Sequence, residues 1–122
     1  MRILLAEDDS KISNFVSMSL EKYADCDVAK TGDEAIDLYT LATSKRDAYD
    51  LCFIDYIMPG INGFDTIKHI RDLENNKKLQ KSGIYLMTSM PEAEWDMDGI
   101  CDGFIKKPLD ISEIIHIVKT RE

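Results

Sequence analysis

Short apolar runs alternate along this chain with longer segments in which apolar residues recur at helical spacing. The runs are ILLA (3–6), CDVA (26–29), LCFI (51–54), IYLM (84–87) and GFI (103–105). Their lengths suit buried strands, and the segments between them suit helices that cover those strands. This alternation predicts an α/β fold with a five-stranded parallel sheet.

Helical patterns follow four of the five runs. Ser10 is the predicted N-cap of the first helix, and the second begins near Asp33. The third begins after Gly63, and the last is capped by Asp110 or Ser112. The residues expected to face the core are Ile12, Phe15, Val16, Leu20 and Tyr23; Ala35, Leu38, Tyr39 and Ala42; Phe64, Ile67, Ile70 and Leu73; and Ile111, Ile114, Ile115 and Val118.

The connection between the fourth and fifth runs gives the weakest helical pattern. Pro91 suits a first helical turn and Gly99 a helix end, so that only about Glu92 to Met97 can be helical. The sequence therefore predicts a fourth helix of about one or two turns.

The composition fits one domain and argues against several classes of protein. With 122 residues, 44% of them hydrophobic, residues 1–122 are predicted to form a single domain around one core. A formal charge of −8 argues against nucleic acid binding, which depends on Lys and Arg beside phosphates. An acidic surface instead suits small cations or basic partners.

The cysteines and the N-terminus predict a cytoplasmic protein. Cys26, Cys52 and Cys101 lack metal-binding spacing and leave one thiol over in any disulfide scheme, so we interpret them as reduced core thiols. MRILLAEDD does not resemble a signal peptide, and no apolar run is long enough to cross a membrane. A whole small protein and a part of a longer chain both remain open.

Polar residues stand where four of the predicted strands end. They are Glu7, Asp8 and Asp9 after the first strand, Asp55 at the third, Thr88 and Ser89 at the fourth, and Lys107 at the fifth. Each alone fits a helix cap or a turn. In an open parallel sheet, however, ligands bind beyond the carboxyl ends of the strands, so their shared rim predicts a site.

The residue types at this rim favour a divalent cation and phosphoryl chemistry. Carboxylates placed together repel and raise one another's pKa unless a cation joins them. Mg²⁺ suits them, because it binds carboxylate and backbone oxygens while keeping waters that a phosphate can replace. An aspartate beside it can attack phosphorus, while a lysine and a hydroxyl neutralise the phosphoryl oxygens.

Four segments, ILLAEDD, DYIMPGINGFD, LMTS and GFIKKP, resemble in their order and spacing the receiver domain of two-component response regulators. The resemblance covers the whole chain. It implies a doubly wound, flavodoxin-like fold with five helices and strand order 2-1-3-4-5.

The resemblance also implies roles for residues at the rim. Asp55 matches the phosphoryl-accepting aspartate, Asp8 a direct Mg²⁺ ligand, Glu7 an acid that acts through water, and the backbone carbonyl of Ile57 a third protein ligand. Mn²⁺ is a possible substitute for Mg²⁺.

Further roles follow from the fourth and fifth runs. Thr88 matches the switch hydroxyl, Lys107 the lysine that contacts the phosphoryl group, and Phe104 the switch aromatic. The Lys107–Pro108 bond is expected to be cis.

The implied function is that of a signalling domain rather than an enzyme. A histidine kinase or histidine phosphotransfer protein would donate a phosphoryl group to Asp55, and the modified domain would then act on a downstream effector domain or protein. Three features depart from the family pattern: Glu7 where Asp is commoner, Ser89 where Ala is usual, and a shorter interval from Thr88 to Lys107. The shorter interval is expected to shorten the fourth helix.

Three alternatives remain. A phosphohydrolase of the haloacid dehalogenase type needs a second Asp two residues after its nucleophile, where this chain has Ile57. A pseudo-receiver would act by binding alone, without phosphorylation. A flavin-binding protein needs a phosphate-cradling loop where this chain has EDDSK.

Overall fold

Five parallel strands form one sheet in the computed structural model, which describes residues 1–90 and 99–121. The strands are β1 (Arg2–Ala6), β2 (Asp25–Ala29), β3 (Leu51–Asp55), β4 (Gly83–Thr88) and β5 (Gly103–Lys106). Their order is β2-β1-β3-β4-β5, with parallel pairing throughout. The predicted strands, their number and their order are confirmed.

Four helices are described: α1 (Ser10–Leu20), α2 (Gly32–Ser44), α3 (Gly63–Asn76) and α4 (Ile111–Arg121). They match the first, second, third and last of the predicted helices. The short helix predicted for Glu92 to Met97 lies outside the described residues.

Alternate residues of the strands point to two core layers on opposite faces of the sheet. Leu4, Cys52, Ile54, Ile84 and Leu86 pack with α2 and α3 on one face. The other face carries Ile3, Leu5, Phe53, Met87 and Ile105, which pack with α1 and α4. Burial on both faces explains why the three central strands, β1, β3 and β4, are nearly continuous apolar runs. The doubly wound architecture is therefore confirmed.

Two predictions for α1 are wrong. Its N-cap is Asp9 rather than Ser10, because the Asp9 carboxylate accepts the amide hydrogens of Lys11 and Ile12 at 2.9 and 3.3 Å. Phe15 does not face the core but is 56% exposed, since the buried face of α1 is formed by Ser13, Val16 and Leu20.

The structure also shows where Tyr23 lies and which residues cap the other three helices. Tyr23 is half-buried but lies beyond the end of α1. Thr31 and Asn62 cap α2 and α3, and the Asp110 carboxylate accepts the Ser112 amide hydrogen before α4.

No disulfide joins the three cysteines. Over residues 1–90 and 99–121, no helix has the length and apolar character needed to cross a bilayer.

Candidate functional site

The carboxyl edge of the sheet brings together residues that are far apart in the sequence. Glu7 follows β1, Asp55 ends β3, and one carboxylate oxygen from each of Glu7, Asp8 and Asp55 lies within 4.8 Å of the others. Glu7 and Asp55 are 1% and 3% exposed, whereas Asp8 is exposed. We call these three residues the acidic cluster; its open side at Asp8 gives a cation access from solvent.

The backbone around Asp55 explains part of the motif that follows it. The Gly63 amide donates to the carbonyl of Tyr56 at 2.7 Å, which turns the loop back against the end of β3. A Cβ atom at Gly63 would lie 2.3 Å from the Asp55 carbonyl oxygen. Gly63 is therefore required by this close approach, which sets the loop beside the acidic cluster.

Lys107 supplies the positive charge of the site. Its Nζ atom lies 2.9 Å from Asp55 Oδ2 and 3.4 Å from Glu7 Oε1, and its backbone amide donates to the Thr88 carbonyl at 3.0 Å. Burial lowers the pKa of this ammonium, but the hydrogen bond and charge of Asp55, with those of Glu7, raise it overall. Lys107 is therefore held charged against both buried carboxylates, and its bond to Pro108 is cis, as predicted.

Glu7 is the electrostatically strained member of the acidic cluster. Burial, the charge of Asp55 and a shared hydrogen bond with Asp55 raise the pKa of Glu7 to about 7, against the opposing effects of the Asp9 amide and Lys107. One lysine thus leaves negative charge uncompensated at the cluster. A divalent cation bound by these oxygens would relieve that repulsion, so the donor set fits Mg²⁺.

Asp9 belongs to the helix cap and not to the acidic cluster. Its side chain is occupied by the first amides of α1, and its own amide donates to Glu7 Oε2 at 3.2 Å. The triplet EDD therefore contributes two residues to the cluster and one to the start of α1.

Thr88 ends β4 beside these groups. It is 4% exposed, and its hydroxyl oxygen accepts the Met90 amide hydrogen at 3.1 Å. A hydroxyl that accepts one bond can still donate its own hydrogen to another oxygen. Ser89, the next residue, is exposed.

The other two predicted residues lie at the margin of the site. Ile57 follows Asp55 by two positions, and its side chain is 71% exposed. Phe104 pairs with Leu86 across the sheet and is half-buried against the core layer of α2 and α3. The carbonyl ligand at Ile57 and the switch role of Phe104 stay predictions.

A groove of about 350 Å³ beside Lys107 was not predicted from the sequence. It lies between α1 and the residues before α4, and its lining residues are Lys11, Ile12, Phe15, Val16, Lys107, Pro108 and Leu109. Because Phe15 recurs at helical spacing with true core residues, the apolar pattern alone assigns it to the core.

Comparisons with known proteins identify the family. A family model described as "Response regulator receiver domain" matches residues 3–119. The chain belongs to this family. Among curated relatives, transcriptional regulatory protein ResD of Bacillus subtilis is 32% identical over 123 residues, which cover 97% of this chain and 46% of ResD. Hybrid signal transduction histidine kinase L of Dictyostelium discoideum is 29% identical over 95% of this chain and 7% of its own length.

Solved structures agree with this assignment. The receiver domain of Francisella response regulator 1452 has a TM-score of 0.79 and 27% identity, covering 98% of this chain and 94% of that one. A chain from the co-crystal structure of Saccharomyces cerevisiae Ypd1 with the receiver domain of Ssk1 has a TM-score of 0.83, covering 98% and 86%. Its 20% identity supports the fold alone.

Membership of the family has general consequences for this receiver domain. Receiver domains are signalling modules rather than classical enzymes; they generally bind Mg²⁺ at an acidic pocket and interact with histidine kinases or phosphotransfer proteins. The chain spans about half or less of the length of the first curated relatives it matches, 50% in Staphylococcus saprophyticus ArlR. The match therefore identifies this domain and not the activities of the longer proteins.

Proposed function

We propose that this receiver domain accepts a phosphoryl group on Asp55 from a phosphohistidine donor and thereby switches its interaction with an effector. The observation that carries the proposal is the position of Asp55: it is 3% exposed, with Lys107 Nζ at 2.9 Å and the carboxylates of Glu7 and Asp8 beside it. This arrangement would combine a nucleophile, the ammonium group of Lys107 and an acidic cluster that fits a metal ion at one sheet edge.

In the proposed reaction an oxygen of Asp55 attacks phosphorus. The new O–P bond forms as the P–N bond to the donor histidine breaks, and the electron pair of that bond stays on the imidazole nitrogen. Glu7, Asp8, Asp55 and the Ile57 carbonyl would hold Mg²⁺, or Mn²⁺ in its place. The bound metal would supply positive charge for the phosphoryl oxygens.

Lys107 and Thr88 would then change partners. Lys107 is within reach of a phosphoryl oxygen because it already contacts Asp55 Oδ2. The Thr88 hydroxyl would move toward the phosphoryl group to donate its hydrogen to another oxygen, and this movement would lengthen its hydrogen bond with the Met90 amide. We propose that this movement, together with reorientation of Phe104, shifts the domain toward its effector-binding arrangement.

The proposed donor is a histidine kinase or a histidine phosphotransfer protein. A donor histidine must approach Asp55, so its protein must contact the surface around this edge. The groove beside Lys107, which is lined by Phe15 with 56% of that residue exposed, offers apolar contact there. Ssk1, which shares the fold, was crystallised with the phosphotransfer protein Ypd1.

Net charge, the cysteines and Ile57 support further features of the proposed function. The formal charge of −8 argues against DNA binding by this domain. An effector domain or protein would therefore carry out any DNA binding in the pathway. Three cysteines without a disulfide fit the reducing cytoplasm. The apolar, exposed Ile57 argues against a phosphohydrolase, because it offers no acid or base two residues after Asp55.

Intact-mass measurement after incubation with acetyl phosphate tests the proposed reaction. We expect one phosphoryl adduct, and its formation should require Mg²⁺. The Asp55→Asn variant should form no adduct, although its circular dichroism spectrum should match that of the wild type. Asp9→Asn is the matched control, since Asn also caps helices and Asp9 lies outside the acidic cluster; it should be modified normally. An adduct on Asp55→Asn would contradict the assignment, and no adduct with either acetyl phosphate or a phosphohistidine donor would favour the pseudo-receiver.

A further inference from the structure

Arg71 of α3 joins the helix to the amino ends of two strands. Its guanidinium donates to the carbonyls of Ser82 and Ile100, both at 2.9 Å, and to the carboxylates of Glu74 and Asp102 at 2.8 and 3.0 Å. The side chain is only 11% exposed. Arg71 therefore binds acceptors immediately before β4 and before β5.

Asp102 ties these two strands to each other at the same end. Its carboxylate accepts the Ile84 amide hydrogen at 2.7 Å, and its own amide donates to the Ile84 carbonyl at 2.8 Å. Arg71 contacts the carboxylate oxygen that Ile84 also uses. The contact from α3 thus reaches the first hydrogen bonds between β4 and β5.

Glu74 holds the guanidinium of Arg71 in one position. Its carboxylate is fully buried, and besides Arg71 it binds the Tyr39 hydroxyl at 2.5 Å and the Ser82 amide at 2.8 Å. A charged group in this position is tolerated only when its bonds are satisfied. The network therefore has one well-defined arrangement, which links α2, α3 and the start of β4.

We propose that Arg71 is a positioning residue that anchors the amino ends of β4 and β5, so that a change at the phosphorylation site is confined to the carboxyl ends of these strands. This inference rests on the proposed phosphorylation of Asp55. Thr88 and Lys107, which would contact the phosphoryl group, lie at the carboxyl ends, and Phe104 lies between them and Asp102.

Backbone amides report the two ends of the strands separately. The amides of Ile84 and Asp102 hydrogen-bond at the anchored end, whereas those of Met90 and Lys107 bond to the Thr88 side chain and carbonyl. Residue-resolved hydrogen exchange by NMR follows each of them, with Mg²⁺ and beryllofluoride standing in for the phosphoryl group. Fluorine NMR shows independently whether beryllofluoride is bound.

In the wild type, we expect beryllofluoride to change exchange at Met90 or Lys107 by about threefold or more. At Ile84 and Asp102 the change should stay within about twofold. In Arg71→Lys, which keeps the charge beside Glu74 but not the fork of donors, the response should spread to Ile84 and Asp102. Asp102→Asn, at a side chain that is 48% exposed, should do the same and is expected to fold.

Arg2→Lys is the matched control. Arg2 also lies at the amino edge and contacts two carboxylates, those of Asp27 and Asp47, but it belongs to β1. Its replacement should leave the response at all four amides as in the wild type.

The exchange and fluorine NMR results test the anchoring by Arg71 and the phosphorylation site separately. A response at Ile84 and Asp102 of the wild type as large as at Lys107, or a response that stays confined in both Arg71→Lys and Asp102→Asn, would overturn the anchor. If fluorine NMR detects no bound beryllofluoride, the proposed function fails instead. In that case, the comparison is made without ligand. If the amides of Ile84 and Asp102 then exchange at the same rate in Arg71→Lys as in the wild type, the proposed anchoring by Arg71 would also be overturned.

Discussion

The two edges of the sheet treat buried carboxylates in opposite ways. At the amino edge, Glu74 is fully buried, but Arg71 and two uncharged donors satisfy its oxygens. At the carboxyl edge, the acidic cluster of Glu7, Asp8 and Asp55 has one described lysine beside it, Lys107, which contacts Glu7 and Asp55. The first arrangement stabilises the fold, whereas the second leaves negative charge that only a further cation would balance.

This difference suits similar residue types to stability at one edge and to the proposed phosphoryl chemistry at the other. A buried ion pair with all bonds satisfied has nothing left to offer a ligand. A cluster with excess charge and one exposed member can bind a cation at low structural cost. Substitutions at the two edges should therefore change different quantities.

The largest expected effect on stability is at the amino edge. Arg71→Ala leaves the buried Glu74 carboxylate without its cation and should lower the free energy of unfolding by about 3–5 kcal/mol, measured by urea denaturation. Arg2→Ala is the control: Arg2 is 23% exposed and its partners 42% and 65% exposed. It should cost only about 1 kcal/mol. Equal losses for the two variants would contradict the special position of Arg71.

The acidic cluster should make stability fall as pH rises. The pKa of Glu7 is about 7 in the folded protein and 4.5 in the reference state of an exposed carboxyl. Between these values the folded chain holds a proton that the unfolded chain has lost, so stability drops by about 2–3 kcal/mol and levels off above pH 7. Urea denaturation in EDTA at pH 5 and pH 8 measures the drop.

Glu7→Gln is the control for this pH dependence, because the amide does not titrate. The difference in unfolding free energy between wild type and Glu7→Gln should change over this pH range. Mg²⁺ should stabilise the wild type more at pH 8 than at pH 5, because protons and Mg²⁺ compete for the same carboxylate. A difference that does not vary with pH would show that Glu7 is not under electrostatic strain.

Lys107 should oppose metal binding while it supports phosphorylation. Lys107→Gln removes the ammonium 2.9 Å from Asp55, so Mg²⁺ affinity should rise by up to about tenfold, or about 1.4 kcal/mol, in calorimetry. Phosphorylation by acetyl phosphate should nevertheless slow. Lys30→Gln is the matched control, since Lys30 follows β2 at the same edge but contacts the hydroxyls of Ser10 and Ser13. An affinity gain with Lys30→Gln as large as with Lys107→Gln would indicate a general charge effect.

The sequence predicted the sheet and the meeting of its polar ends because both follow from simple rules. Parallel strands place their carboxyl ends on one edge, so residues that follow Ala6, Ile54, Met87 and Lys106 had to come close. The family resemblance added roles to these positions. The roles of Asp55, Thr88, Lys107 and Phe104 remain predictions that the experiments above address.

Features that depend on side-chain packing were not predictable in this way. Phe15 has the spacing of a core residue, and only the packing of Ser13 and Val16 against the sheet shows that it faces solvent. The Arg71 network depends on Glu74, Ser82 and Asp102, whose proximity follows from the tertiary fold and from no local pattern. Charged residues in a helix ordinarily read as an exposed face.

The smallest expected effect separates two neighbours in the acidic triplet. Asp9→Ala removes the cap of α1 and should cost about 1 kcal/mol of stability, while Mg²⁺ affinity changes less than about twofold. Asp9→Asn should restore stability, because an amide oxygen can accept the same amide hydrogens. Asp8→Asn should behave in the opposite way, weakening Mg²⁺ binding with little effect on unfolding, because Asp8 is exposed and lies within the cluster.

Loss of Mg²⁺ binding in Asp9→Ala would place Asp9 in the acidic cluster after all. The boundary between stability and chemistry at this edge would then not fall between residues 8 and 9.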